Sequence, residues 1–218
     1  MIAKFLIEPN LPTIQLTDTG EHALSLMNEF KVSHLPLVDN KKFLGLISVN
    51  DILVDKSLKF SDYKKLFVLI YTKEKHHIYE VIKMMSQNSL SLIPVLNKKD
   101  EYCGSISLLS LTQQFSKLAS LENSGGIIIL ELNTNDYSMA EIARITEANG
   151  VKIVSSYVTT HSDSTKIELT LKFNETDLTR IIKAFNRFEY IIKASFHESE
   201  FIDELKNRYD NFMHYLNI

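Results

Sequence analysis

The sequence predicts an α/β protein of the α+β kind. Two β-α-β-β-α repeats form a pseudo-twofold module, followed by a βαββαβ domain and a C-terminal helix. Three observations predict this. The stretch HLPLVDNKKFLGLISVNDI at 34–52 is written a second time as LIPVLNKKDEYCGSISLLSL at 92–111. A polar run ending in Gly125-Gly126 then breaks the chain, since adjacent glycines mark a hinge or turn. Beyond it, helical and alternating apolar patterns succeed each other in a different order.

Within the first repeat, 1–7 reads as a short helix closed by Pro9 and Pro12, and 13–16 as a brief strand. Ala23, Leu24, Met27 and Phe30 carry the spacing of one buried helical face over 20–31. Apolar runs at 35–38 and 43–47 flank a DNKK turn, the pattern of a hairpin, and 50–57 follows as a helix. The second repeat opens with a buried strand at 66–71. A helix at 78–87, a hairpin of 92–96 and 102–106, and a helix at 108–121 complete it. Gly45 and Gly104 stand one residue further apart than Pro36 and Pro94, so the second turn has gained a residue. Two copies of so long a unit mean a duplicated domain, because a solenoid needs three or more to bury its faces.

After the glycine pair, 127–132 reads as a strand and 139–149 as an amphipathic helix stopped by Gly150. Half-buried strands at 151–160 and 166–173 flank the turn HSDS. A helix at 177–186 and a strand at 190–196 follow. That order is the split-βαβ, ferredoxin-like plan. The apolar positions of 201–216, with acidic residues crowding the start, predict a terminal helix. The expected division is a module over 1–122, with repeats near 4–58 and 64–121, a hinge at 123–126, a domain over 127–197 and the helix over 198–218.

A chain of 218 residues has room for one large or two modest domains. A formal charge of −3 gives no electrostatic reason to expect nucleic acid or an anionic membrane as partner. The single cysteine, Cys103, cannot form an internal disulfide, which fits a reducing compartment. The start MIAKFLIEPN is too short and too interrupted for a secretory signal. No apolar run nears the roughly 20 residues that a membrane span needs. A soluble, cytoplasmic protein is expected.

Ser48 and Asp51 are the leading site candidates, and their spacing has two readings. One is a capping box, in which both side chains satisfy free backbone N–H groups at a helix start. The other is a ligand pocket. A helix N-terminus after a strand offers donors to a phosphate, and a carboxylate one turn in can accept the hydroxyls of a ribose. In the second copy Ser107 keeps the cap position while Ser110 replaces the carboxylate, so that helix is expected to manage without one.

The two units resemble tandem CBS domains, a Bateman module, over roughly 4–120. The motifs HLPLVD with GLISVND, and LIPVL with GSISLLS, carry the resemblance. It implies two clefts between the repeats that take adenine nucleotides (AMP, ADP, ATP) or S-adenosylmethionine as regulatory ligands, with no cofactor required. Asp51 would hold ribose, Ser48 would lie at the phosphates, and Ser33, His34 and Leu35 would line the cleft. Ser107 and Ser110 mark a weaker second cleft. Residues 126–197 resemble an ACT domain in element order, and the whole is similar in architecture to CBS–ACT proteins of the acetoin-utilisation type. That resemblance would put an amino-acid ligand at the turn carrying Asn135, Asp136 and Ser138, where no glycine stands. Both families imply a homodimer.

The expectation is therefore a regulatory sensor with no catalytic residues, acting on an unknown protein partner. The alternatives are a dimerisation scaffold with degenerate sites, or amino-acid sensing in the second domain. His76, His77 and Glu80 lack the spacing of a metal site, and no metal is expected. Cys103 reads as an inert buried thiol. The six glycines read as turns, strand ends or helix boundaries, with no Walker loop and no GxSxG elbow.

Overall fold

The computed structural model describes residues 1–53, 59–62, 67–160 and 165–196. The chain divides into two compact units, Met1–Phe115 and Ser116–Ile218, each with its own apolar core.

The first unit holds the duplicated repeats. In repeat one, α1 (Gly20–Phe30) is capped by Thr19, whose hydroxyl accepts from the His22 N–H. It buries Ala23 and Met27 and ends at Lys31 in the left-handed conformation. β1 (His34–Asp39) and β2 (Lys42–Ser48) pair as an antiparallel hairpin, and α2 (Val49–Ile52) follows. Repeat two runs through β3 (Thr72–Lys73), α3 (Ile78–Gln87), β4 (Leu92–Leu96), β5 (Tyr102–Ser107) and α4 (Leu108–Leu118). Ile14 bridges Leu37 in parallel as Thr72 pairs with Val95, so each repeat has the same entry into its hairpin. Leu35, Leu37, Ile47, Ile78, Val81, Leu92, Ile93 and Ile106 are fully buried. Each such side chain contributes about 1.5–3 kcal/mol relative to exposure.

Each repeat lends its leading segment to the other. Glu8 pairs with Ser105 of β5, and Val68 pairs with Leu46 of β2. The segments cross where Gly45 and Gly104 lie, at φ +156° and +136°. A Cβ on Gly45 would sit 2.4 Å from the Phe67 Cβ, and one on Gly104 would sit 2.4 Å from the Ile7 Cγ2. These two glycines are therefore strand-interior residues, not turns or strand ends, and the motif keeps them because another chain segment passes overhead. The same crossing displaces the strand expected at 66–71. Val68 and Leu69 are exposed, the second copy's parallel strand is Thr72–Lys73, and Leu66 lies outside the described residues. The apolar run serves the crossing, not the sheet.

Cys103 also departs from expectation. It is exposed, because Val95 pairs with Gly104 and Leu96 with Tyr102, leaving Cys103 as the extra residue of a β-bulge. Desolvation first, then the nearby Glu74 carboxylate, pushes its thiol upward from the ordinary range.

In the second unit, β6 (Ile127–Asn133), α5 (Met139–Ala148), β7 (Ile153–Thr160), β8 (Lys166–Phe173), α6 (Thr179–Arg187) and β9 (Ile191–Phe196) follow in order. The strand order β7-β8-β6-β9, with every neighbouring pair antiparallel, is the ferredoxin-like arrangement of an ACT-type fold. Ile128 and Leu130 of β6 and Leu169 and Leu171 of β8 face Ile142, Ile145, Ile181 and Phe185 of the helices. Gly150, at φ +74°, ends α5. Gly126 is held between the Glu175 carbonyl at 2.7 Å and the Phe173 N–H at 2.9 Å. The helix expected at 201–216 and the turn at 161–164 lie outside the described residues.

Candidate functional site

β2 ends at Ser48, whose extended backbone turns into α2. The capping box is formed in full. The Asp51 Oδ2 accepts from the Ser48 N–H at 3.0 Å and from its hydroxyl at 2.6 Å, and the Ser48 Oγ accepts from the Asp51 N–H at 3.4 Å. No described residue donates to the second carboxylate oxygen of half-buried Asp51. Across the hairpin His34 pairs with Ser48, which brings its ring within electrostatic reach of Asp51.

The His34 ring is fixed from the other repeat. Its Nδ1 accepts from the Ser91 N–H at 3.2 Å and stands 3.1 Å from the Ser91 hydroxyl and 3.2 Å from that of Ser33. The Ser33 N–H in turn donates to the Ser91 Oγ at 2.9 Å. An Nδ1 that accepts a backbone N–H carries no proton, so the neutral ring holds its proton on Nε2. Desolvation lowers the His34 pKa from its ordinary value of 6.5, against the smaller opposing pull of Asp51. A depressed histidine binds fewer protons folded than unfolded, so its contribution is complete above pH 6.5 and is lost as pH falls through the folded value. The wild-type urea midpoint is accordingly expected to drop between pH 7.5 and pH 5. The part of that drop owed to His34 should vanish in His34→Gln.

Leu35 is fully buried, so only its backbone can face a cleft. Ser33 lines two clefts of about 560 and 500 Å³ on the helical side of the repeats, one walled by Leu24, Met27 and Val49, the other by Met85, Leu108 and Leu111. Both clefts share Ser33 with Ser91. Ser91 was legible in the sequence, since it precedes Leu92-Ile93-Pro94 as Ser33 precedes His34-Leu35-Pro36.

The second copy's helix does not manage without a carboxylate. Ser107 caps α4 by accepting from the Ser110 N–H at 3.1 Å, and its own N–H donates to the Glu8 Oε1 at 2.9 Å. Glu8 thus supplies in α4 the acceptor that Asp51 supplies in α2, from a segment 99 positions away. Removing it leaves a donor of nearly buried Ser107 unsatisfied. Glu8→Ala is expected to cost about 1–2 kcal/mol, read as a lower urea midpoint. Ser110→Asp in that background should restore much of it by rebuilding the box locally.

In the second unit, Asn133 donates to the Asp136 Oδ2 at 2.8 Å, Asn135 is exposed, and Ser138 caps α5. Asp136 borders a cleft of about 260 Å³ together with Glu131, Glu141, Glu189 and Tyr190. Burial, then Glu141, raises the Tyr190 hydroxyl. An amino-acid carboxylate entering there would meet like charge.

His77 caps α3, and His76 lies 3.6 Å from Glu80 and 3.1 Å from the Thr72 hydroxyl. No group of three His, Cys, Asp or Glu among the described residues could hold a metal ion. No helix among them is long and apolar enough to cross a membrane.

Residues 3–55 and 68–116 match the family model described as the CBS domain. Among curated proteins, the homoserine O-acetyltransferase of Methanobrevibacter ruminantium is 30% identical over 118 residues, which is 53% of this chain and 23% of that protein. The inosine-5'-monophosphate dehydrogenase of Methanocaldococcus jannaschii is 28% identical over 105 residues, covering 47% and 21%. The chain therefore spans less than a quarter of the length of these relatives. A solved CBS domain pair/ACT domain protein from Thermotoga maritima aligns over 54% of this chain and 98% of its own, at 16% identity and a TM-score of 0.48.

Proposed function

Because the chain is a tandem CBS-domain protein, its two domains at residues 3–55 and 68–116, we propose that it is a non-catalytic sensor of an adenine nucleotide or related adenosyl ligand. The ligand binds between the repeats, at Ser48 and Asp51, with His34 and Ser33 beside them. The observation that carries this reading is the half-engaged carboxylate of Asp51. One oxygen is committed to Ser48, and no described residue donates to the other, which leaves an acceptor for ribose hydroxyls. The Nε2–H of neutral His34 adds a donor suited to a phosphate oxygen. Two chains pair through the apolar helical side, where Leu53, Leu108 and Leu109 are exposed. The ligand acts by preferring one arrangement of that pair, passing its signal through the ACT-type unit to a further protein.

A second reading, a scaffold with degenerate sites, draws on the same box. Ser48 and Asp51 already satisfy each other, so α2 needs no ligand. A thermal-shift panel of AMP, ADP, ATP, S-adenosylmethionine and amino acids separates the readings. A ligand that binds only the native state adds about 2.7 kcal/mol of stability at a hundredfold excess over its dissociation constant. A shift with an adenosyl compound supports the sensor. A shift with amino acids alone moves the sensing to the ACT-type unit, and no shift with any compound leaves the scaffold.

A further inference from the structure

At the opposite end of the hairpins from Ser48 the two basic turns meet. Lys42 bridges Glu101, and the Tyr102 N–H donates to the Lys41 carbonyl at 2.7 Å. Beneath these tips lies a cleft of about 450 Å³, within the range of roughly 300–1,000 Å³ usual for small-molecule sites. Phe43, Leu69, Tyr71 and Leu96 line it as an apolar floor. Phe43 and Tyr71 meet edge to face with centroids 6.0 Å apart, and Leu69, 69% exposed, stands in water beside them.

The rim carries Lys41, Lys42 and Lys99 with Asp100 and Glu101. Both acids are engaged. Asp100 accepts from Lys73, and Glu101 accepts from the Asn97 side chain at 2.8 Å. None of the three rim lysines forms an ion pair with a described residue. An aromatic floor under unpaired ammonium groups favours a ligand with a flat face and a negative charge. The sequence holds the signal, since both repeats place a Lys-Lys pair in the hairpin turn.

We propose that this cleft binds a small planar-ring compound bearing one anionic group, a phosphate monoester or a carboxylate. The ring lies on Phe43, Tyr71 and Leu69, and the anion reaches Lys41, Lys42 and Lys99. The site is separate from the one at Asp51, so a ligand here acts as a second input to the module.

The test is an amide NMR titration of the full chain with phenyl phosphate, benzoate and neutral benzyl alcohol. At least one of the two anions is expected to move the resonances of 40–43 and 99–101, and benzyl alcohol to leave them in place. A response to only one anion identifies the charged group. Lys41→Glu combined with Lys99→Glu, both at exposed positions, should weaken binding by about tenfold or more. Asp51→Ala should bind the same probe as wild type, which separates this cleft from the nucleotide reading. No shift with either anion, equal binding of benzyl alcohol, or an unchanged affinity in the charge-reversed variant overturns the proposal.

Discussion

Gly45→Val is expected to destabilise the first unit by about 3–5 kcal/mol. Overpacking a filled site costs about 1–3 kcal/mol, and a strained backbone adds a similar amount. The position has both problems, at φ +156° with the Phe67 Cβ 2.4 Å from where a side chain would begin. That neighbour cannot swing away, because a Cβ moves only with its backbone, and Val68 next to it is hydrogen-bonded to Leu46 in both directions. Urea unfolding followed by far-UV circular dichroism measures the loss, and the Tm of this unit should fall by about 12–20 °C. Gly104→Val should cost less, since the atom it meets is the Ile7 Cγ2, the end of a side chain that can turn. Equal stability of Gly45→Val and wild type would mean that no chain segment packs over Gly45 in the folded protein.

Asp51→Ala is expected to weaken adenine-nucleotide binding by roughly 5- to 150-fold, the equivalent of about 1–3 kcal/mol for lost charged hydrogen bonds. It also removes the Asp51 half of the capping box, leaving the Ser48 N–H without its acceptor while the Ser48 hydroxyl still accepts from the backbone N–H at 51, a loss of about 0.5–2 kcal/mol of stability. Asp51→Asn separates the two effects, because an amide oxygen still accepts from the Ser48 N–H while the charge is gone. Titration calorimetry should show affinity lost in both variants and stability lost mainly in the alanine. An affinity unchanged in both would remove Asp51 from the site and leave the capping box as its whole role.

Local signals carried most of the architecture. The paired prolines and the alternation of 166–173 each report on neighbours a few positions away, and the hairpins and β8 stand where those patterns place them. Long-range contacts were not legible in this way. Nothing around Glu8 says that it will cap α4, because that role depends on a crossing made only in the folded chain. The run at 66–71 has the composition of a buried strand, yet the crossing leaves Val68 and Leu69 in water. Cys103, at the start of a strand and with no histidine at a partnering distance in sequence, was expected to be buried, and as the single extra residue of the bulge it is turned out. At the site, Ser48 and Asp51 could be read as a pair from their spacing. The Ser91–His34 contact needed the two copies to be folded face to face.

The exchange of leading segments means that neither half of the duplication owns all of its parts. A polypeptide cut down to one half would lack the strip that covers its glycine and would have to borrow it from a second molecule. Such a fragment should be recovered as an intertwined pair and not as a folded monomer. The tandem chain would then be the covalent form of an association between two shorter ancestors.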